Sequence, residues 1–227
     1  MPHSTPPTTG PPRVAVVTGG TGALGAAVAR HFAAAAYDVH VTMSREPAPS
    51  GYGGSGRAHV VDLTKLDAVR ALAQKFDQVH ALVLCAGGFA EARLDKLDGR
   101  DVDAMLDVNF RTAVNTLSAF GEKLVRGAAA VLVGSQSYAG AAGMAPYAAS
   151  KAAVVSLMQS AALEWKPRRV RVNAVLPDVV DTPANRKAMP MADVNRWLKP
   201  EDVAETIVWL CSPAASVVSG NAIKVGV

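Results

Sequence analysis

"VAVVTGGTGALG" (residues 14–25) runs an apolar, β-branched stretch straight into glycines spaced Gly20-x-Gly22-x-x-Gly25, and residues 22–36 then show helical periodicity. A strand, a turn without side chains and a helix N-terminus in that order let the backbone approach a pyrophosphate while the first helical N–H groups point at the anion. Further short, almost unbroken apolar runs lie at 39–42, 58–63, 81–87, 129–135, 170–177 and 222–227. Strands without polar alternation are covered on both faces, as in parallel sheets. Between them the helical period returns at 64–76, 101–126, 146–165 and 200–211. This alternation predicts an α/β fold: a Rossmann-type, doubly wound, seven-stranded parallel sheet with helices on both faces.

At 227 residues and 50% hydrophobic content the chain can build one substantial core, and residues 13–227 are expected to form a single NAD(P)-binding domain. Residues 1–12, "MPHSTPPTTGPP", hold five prolines and no apolar core segment, so they read as a disordered tail and not as a secretion signal. The Pro/Gly/Ser-rich stretch 47–56 reads as a loop, and the irregular stretch 177–199 as a lid over a site. The net charge of +4 is spread along the chain with no dense basic tract, which argues against nucleic acid as partner. No apolar stretch approaches the ~20 residues of a membrane span. Cys85 and Cys211 make no disulfide framework, and the five histidines lack metal-ligand spacing, so a cytoplasmic, metal-free protein is expected.

Two features point to chemistry. The second strand closes on Met43 and Ser44, with Arg45 behind them, where dinucleotide folds often place an acid for the ribose 2′-hydroxyl. Losing the carboxylate and gaining a guanidinium suits a 2′-phosphate and favours NADP(H) over NAD(H), although Arg45 as an ordinary solvated loop residue is the plainer alternative. Further on, "PYAASKAAV" (146–154) carries Tyr147 and Lys151 four residues apart, on one helix face. The same pair also suits an amphipathic helix that packs its tyrosine and solvates its lysine.

These motifs together resemble the shorter subclass of short-chain dehydrogenases/reductases from Arg13 to Val225. "TGGTGALG" fits the family's TGxxx[AG]xG turn, "VDL" (61–63) its adenine contact, "CAGG" (85–88) its NNAG segment with Cys85 in place of asparagine, and "DVNF" the asparagine of its tetrad. "VGSQS" followed by "YAASK" matches the Ser-Tyr-Lys arrangement, and "LPDVVDT" the PGxxxT segment with Asp178 in place of glycine. The resemblance implies that Tyr147 is the general acid/base and that the Lys151 ammonium lowers its pKa. Asn109 would anchor a proton-relay water, and Ser135 would donate to the substrate oxygen. Ser135 stands one residue nearer to the tyrosine than the family spacing, so Ser137 competes for that role.

For the cofactor the resemblance implies Gly19, Thr21, Gly22, Leu24 and Gly25 around the phosphates, with Ser44 and Arg45 at the 2′-position. Asp62, Leu63, Ala86 and Gly87 would flank adenine and ribose, while Tyr147, Lys151, Pro177, Val180 and Thr182 would hold the nicotinamide end. Gly88, Phe89, Ser137, Met189 and Trp197, with Met191, are candidates for the substrate wall. Segments 84–90 and 176–197 also resemble dihydropteridine reductase members, although those carry alanine at the serine position and an aspartate after the second strand. The expected activity is hydride transfer between NADP(H) and a carbonyl or hydroxyl carbon. Reduction of a quinonoid pterin, or nucleotide sensing without turnover, are the alternatives. Family members assemble through the two long helices, so a homodimer or homotetramer is implied. The alanine face Ala152, Ala153, Ala161 and Ala162 would permit close approach, and alanine there equally suits the chain's own core.

Overall fold

The computed structural model describes residues 12–44 and 55–226. The expected tail and most of the 47–56 loop, together with Arg45, lie outside the described residues.

Seven parallel strands form one sheet in the order β3-β2-β1-β4-β5-β6-β7: β1 Val14–Thr18, β2 Asp38–Met43, β3 Arg57–Val60, β4 Val79–Leu84, β5 Leu124–Val133, β6 Arg171–Pro177 and β7 Ala222–Val225. Adjacent residues of a strand face opposite sides, so Val16 and Val17, 1% and 0% exposed, anchor two different cores. On one side Val16 and Leu82 pack with Leu72 of helix α2 (Leu66–Ala73), Leu117 of α4 (Thr112–Phe120) and Met158 of α5 (Ala145–Trp165). On the other, Val17 and Val83 pack with Phe32 of α1 (Ala23–Ala34) and Ile207 of α7 (Pro200–Cys211). Strand order reverses between β1 and β4, and ligands of doubly wound sheets bind outside the carboxyl ends of strands at that point.

The helical stretch expected over 101–126 is present to Phe120, with a π-helical segment inside it, and is corrected at its C-terminal end. Helix α3 spans Gly99–Met105, a π-helical segment runs Leu106–Arg111, α4 ends at Phe120, and β5 begins at Leu124. The break has a local and a distant cause. A side chain at Gly121 would meet the Trp165 ring at 3.0 Å, so the chain there must be bare. The Arg168 guanidinium then donates to the carbonyls of Gly121 (2.8 Å) and Leu124 (2.6 Å), satisfying acceptors that a helix end leaves open. Strand β3, expected to be hidden on both faces, is half open, with Val60 52% exposed, because it forms the sheet edge. Within 177–199 lies a short helix, α6 (Pro183–Ala188), capped by the Thr182 hydroxyl, which accepts from the Asn185 N–H at 3.1 Å. Of the two roles open to the alanine face, Ala161 and Ala162, 5% and 8% exposed, take the second and belong to the chain's own core.

Candidate active site

Each glycine of the first turn meets a different constraint. Gly19 has φ of +65° and lies against Ala86, where an added Cβ would be 2.8 Å from the backbone. At Gly25 the same atom would stand 2.2 Å from the Gly19 carbonyl oxygen, and at Gly20 it would strike Val41 at 2.4 Å. Gly20 therefore serves strand packing and not the groove. Gly22, the N-cap of α1, meets nothing closer than 3.4 Å; no side chain caps this helix and no acid occupies its first turn. Its N-terminal N–H groups are thus available to an anion. Two hydroxyls hold the turn to its neighbours: the N–H of Gly19 donates to Thr42 Oγ1 (3.2 Å) and that of Ala86 to Thr18 Oγ1 (3.2 Å).

From this turn a groove of about 330 Å³ extends between Thr21, Gly22 and Ser44 on one side and Asp62, Leu63, Ala86 and Gly87 on the other. One Asp62 oxygen accepts from both the N–H (2.9 Å) and the hydroxyl (2.6 Å) of Thr64, which lowers the pKa and keeps the carboxylate ionised. Asn115, which the sequence reading passed over, ties this loop to α4 by donating to the Leu63 carbonyl at 2.9 Å. The uncapped helix end, the bare Gly22 and the ionised Asp62 fit a dinucleotide along this groove. Leu24 packs into the core below, and Cys85, whose thiol burial pushes up to about 12, lines the groove as a neutral group.

Beyond Gly87 lie the candidate tetrad residues. The π-helical segment turns the Asn109 side chain inward, where it is 2% exposed. Its Oδ1 accepts from the Gly88 N–H (3.0 Å), and its Nδ2 donates to the Gly88 carbonyl (3.0 Å) and the Ser150 hydroxyl (3.1 Å). Ser150 in turn donates to the Tyr147 carbonyl at 2.7 Å. The Asn109 side chain is therefore a clamp between the end of β4 and the tyrosine's helix. Ser150, fully buried, is a member of this network that the sequence reading missed. Both serines line the cavity with Tyr147; Ser135 is the one whose side chain lowers the Tyr147 pKa, and its Oγ accepts from the Ser137 N–H at 3.2 Å.

The electrostatics depart from expectation. Burial raises the Tyr147 pKa and the Ser135 hydrogen bond lowers it, burial being the larger effect; Lys151 is not among the groups that depress it. Lys151 Nζ donates to the Val133 carbonyl at 2.9 Å, and burial drives its pKa from 10.5 down to about 8. Lys151 keeps most of its charge at neutral pH, but its Nζ is turned to Val133 and stands 5.8 Å from the Tyr147 ring centre, so the expected lowering of the tyrosine by Lys151 is outweighed by burial.

A second cavity of about 150 Å³ opens over Tyr147, Ser135 and Pro177. Phe89 meets the Tyr147 ring edge-on at 5.1 Å, and Ser137, Met144 and Met189 add to the lining. Gly88 packs on Val108 instead, Trp197 is absent from the lining, and Met191 is 95% exposed. Within 177–199 the N–H of Leu198 donates to the Val179 carbonyl and that of Asp181 to the Leu198 carbonyl. Val180 is tied down through its carbonyl, which accepts from Asn185 Nδ2 at 2.8 Å.

Residues 20–226 match the family model described as enoyl-(acyl carrier protein) reductase. The chain belongs to the short-chain dehydrogenase/reductase family. Among curated members it is 30% identical over 232 residues to D-threitol dehydrogenase of Mycolicibacterium smegmatis, covering 92% of this chain and 89% of that one. It is 29% identical over 220 residues to the cyclic-di-GMP-binding biofilm dispersal mediator protein of Escherichia coli, covering 92% and 93%. The solved structure of BdcA in complex with NADPH superposes with a TM-score of 0.82 at 26% identity, covering 94% of this chain and 93% of that one. The family binds nicotinamide cofactors. Among the described residues no helix is long and apolar enough to cross a membrane.

Proposed function

We propose that the chain is an NADP(H)-dependent oxidoreductase that interconverts a small ketone and its alcohol. The observation that carries this reading is that Tyr147 and Ser135 line the 150 Å³ cavity while Lys151 Nζ, 5.8 Å from the Tyr147 ring centre, also lies against Gly87 of the glycine-turn groove. Ser44 at the groove wall, where NAD-preferring folds place an acid, and the NADPH bound by a structural relative support the phosphate-bearing cofactor.

When bound, the nicotinamide supplies or accepts the hydride. The chain's part is positional and protic. Gly19 and Gly22 admit the pyrophosphate to the N-terminus of α1. In the reductive direction Ser135 donates a hydrogen bond to the carbonyl oxygen, and Tyr147 gives that oxygen its phenolic proton as negative charge builds there. Burial of Tyr147 keeps the proton on the phenol at neutral pH until the substrate calls for it. Lys151, held by Val133, supplies positive charge behind the tyrosine when the phenolate forms. Asn109 and Ser150 hold the tyrosine's helix against the end of β4.

The test is loss of nicotinamide absorbance when NADPH or NADH is mixed with a panel of small ketones and a quinonoid pterin. Turnover of a ketone, faster with NADPH, is expected. Tight NADPH binding with no turnover on any substrate overturns the reading in favour of a sensor.

A further inference from the structure

The cavity over Tyr147 has an unbalanced charge. Its lining includes two carboxylates, Glu91 and Asp178, and no lysine or arginine. Two of the cations nearby in sequence are paired with other carboxylates, Arg186 with Asp181 at 2.6 Å and Arg93 with Asp95 at 2.9 Å, while Lys96 shares a neighbouring surface depression with Glu91. Among the described residues no cation forms a salt bridge with Glu91 or Asp178. Lys151 is buried and turned to the Val133 carbonyl.

Asp178 is rigidly placed. It follows Pro177 at the end of β6, its N–H donates to the Val225 carbonyl at 3.0 Å, and its own Oδ1 accepts from the Val179 N–H at 2.8 Å. Gln136, also in the lining, donates to the same Val225 carbonyl at 3.3 Å, so strand ends β6 and β7 and the segment after β5 fix this wall together. The carboxylate occupies the position at which the family's PGxxxT segment has glycine.

Ionised carboxylates accept hydrogen bonds and cannot donate them. Both residues are exposed at the cavity rim, so a substrate hydroxyl would meet acceptors and a substrate cation opposite charge, whereas a carboxylate or phosphate would add a third negative charge beside them, an effect that added salt would weaken. We propose that Asp178, with Glu91, makes this cavity select small carbonyl substrates bearing a hydroxyl or ammonium group and reject those bearing a carboxylate or phosphate. The proposal rests on the oxidoreductase reading and names the substrate class of that same site.

Three ketones of similar length test it: 5-hydroxy-2-pentanone, 5-trimethylammonio-2-pentanone and 4-oxopentanoate. For the wild type, kcat/KM should be about tenfold or more lower for the carboxylate than for either of the others. In Asp178→Asn combined with Glu91→Gln that gap should close to within about threefold, chiefly by improved use of the carboxylate. Equilibrium binding of the corresponding alcohols to the NADP-loaded protein should follow the same order. A wild type that uses the carboxylate as well as the alcohol, or a double variant that leaves the order unchanged, overturns the proposal while ketone turnover still stands. A wild type that reduces none of the three removes the oxidoreductase reading and this proposal with it.

Discussion

Lys151 Nζ lies 2.9 Å from the Val133 carbonyl oxygen and 5.8 Å from the centre of the Tyr147 ring. The protein thus buries an ammonium against a β-strand end beneath the tyrosine, at a cost to its own stability. An unfolded lysine keeps its proton up to about 10.5, and this one releases it near 8. Stability is therefore fullest above pH 10.5 and falls as the pH is lowered to about 8, by on the order of 3 kcal/mol. Lys151→Met should melt a few degrees above the wild type at pH 7, with the advantage shrinking towards pH 10, even though activity is lost. Thermal melts across that range check it; a variant less stable at pH 7 than at pH 10, relative to wild type, contradicts it.

Ser150→Ala removes the hydroxyl that links Asn109 to the Tyr147 carbonyl. A buried donor left without its partner costs about 1–3 kcal/mol. Melting should fall accordingly, and kcat should fall more than KM rises, because the tyrosine's helix loses its tie to the end of β4. Unchanged kcat would show that this link is inert.

The glycine turn separates folding from binding. Gly22→Ala has room in the folded chain, with 3.4 Å to the nearest atom, but adds a methyl group to the groove wall. It should melt like the wild type and bind NADPH more weakly. Gly25→Ala drives a methyl to within 2.2 Å of the Gly19 carbonyl and should instead lower the melting temperature. Calorimetric titration with NADPH and melting curves distinguish the two; equal effects of both variants on both readouts contradict the assignment.

Arg171, 8% exposed on β6, donates to the carbonyls of Leu210 and Ser212 at the C-terminus of α7. Arg171→Met leaves those acceptors open and should cost about 1–3 kcal/mol with little change in kcat. An equal loss of activity and stability would place this end of the sheet nearer the site than the structure does.

His40 on β2 and His59 on the edge strand β3 touch through Nδ1 and Nε2 at 2.9 Å, beside Asp38, Arg57, Lys75 and Phe76. Burial lowers both pKa values, only partly offset at His40 by Asp38. Their contribution to stability is intact above about pH 6.5 and is lost as the pH falls through the lowered values. Melting at pH 5.5 should lie further below melting at pH 7.5 for the wild type than for His59→Phe; parallel shifts contradict this.

The core strands and the glycine turn were legible because their determinants are local. Val14 to Thr18 lead into Gly19 to Gly25 without interruption, and the strand's burial on both faces is written in its lack of polar residues. Where the reading failed, the cause lay far along the chain. Helix α4 stops at Phe120 because Trp165 and Arg168, more than 40 residues away, occupy the space and the carbonyls beyond it. Ser150 looked like an ordinary residue of a small-residue helix until Asn109 came against it from 41 residues upstream. Ser135 and Ser137 both line the cavity over Tyr147, and Ser135 is the one whose side chain lowers the Tyr147 pKa, a distinction that spacing along the chain leaves open. The reversal of the Tyr147 shift reflects burial, which no spacing between two residues encodes.

The most direct test of the central claim is single-turnover reduction of a ketone by the NADPH-loaded protein carrying Tyr147→Phe. The phenyl ring keeps the packing against Phe89 and removes only the hydroxyl. Hydride transfer should slow by about 10²–10⁴-fold, the range for a positioned general acid, with NADPH affinity unchanged. A rate within about threefold of the wild type, well short of that range, would contradict the assignment of the proton to Tyr147.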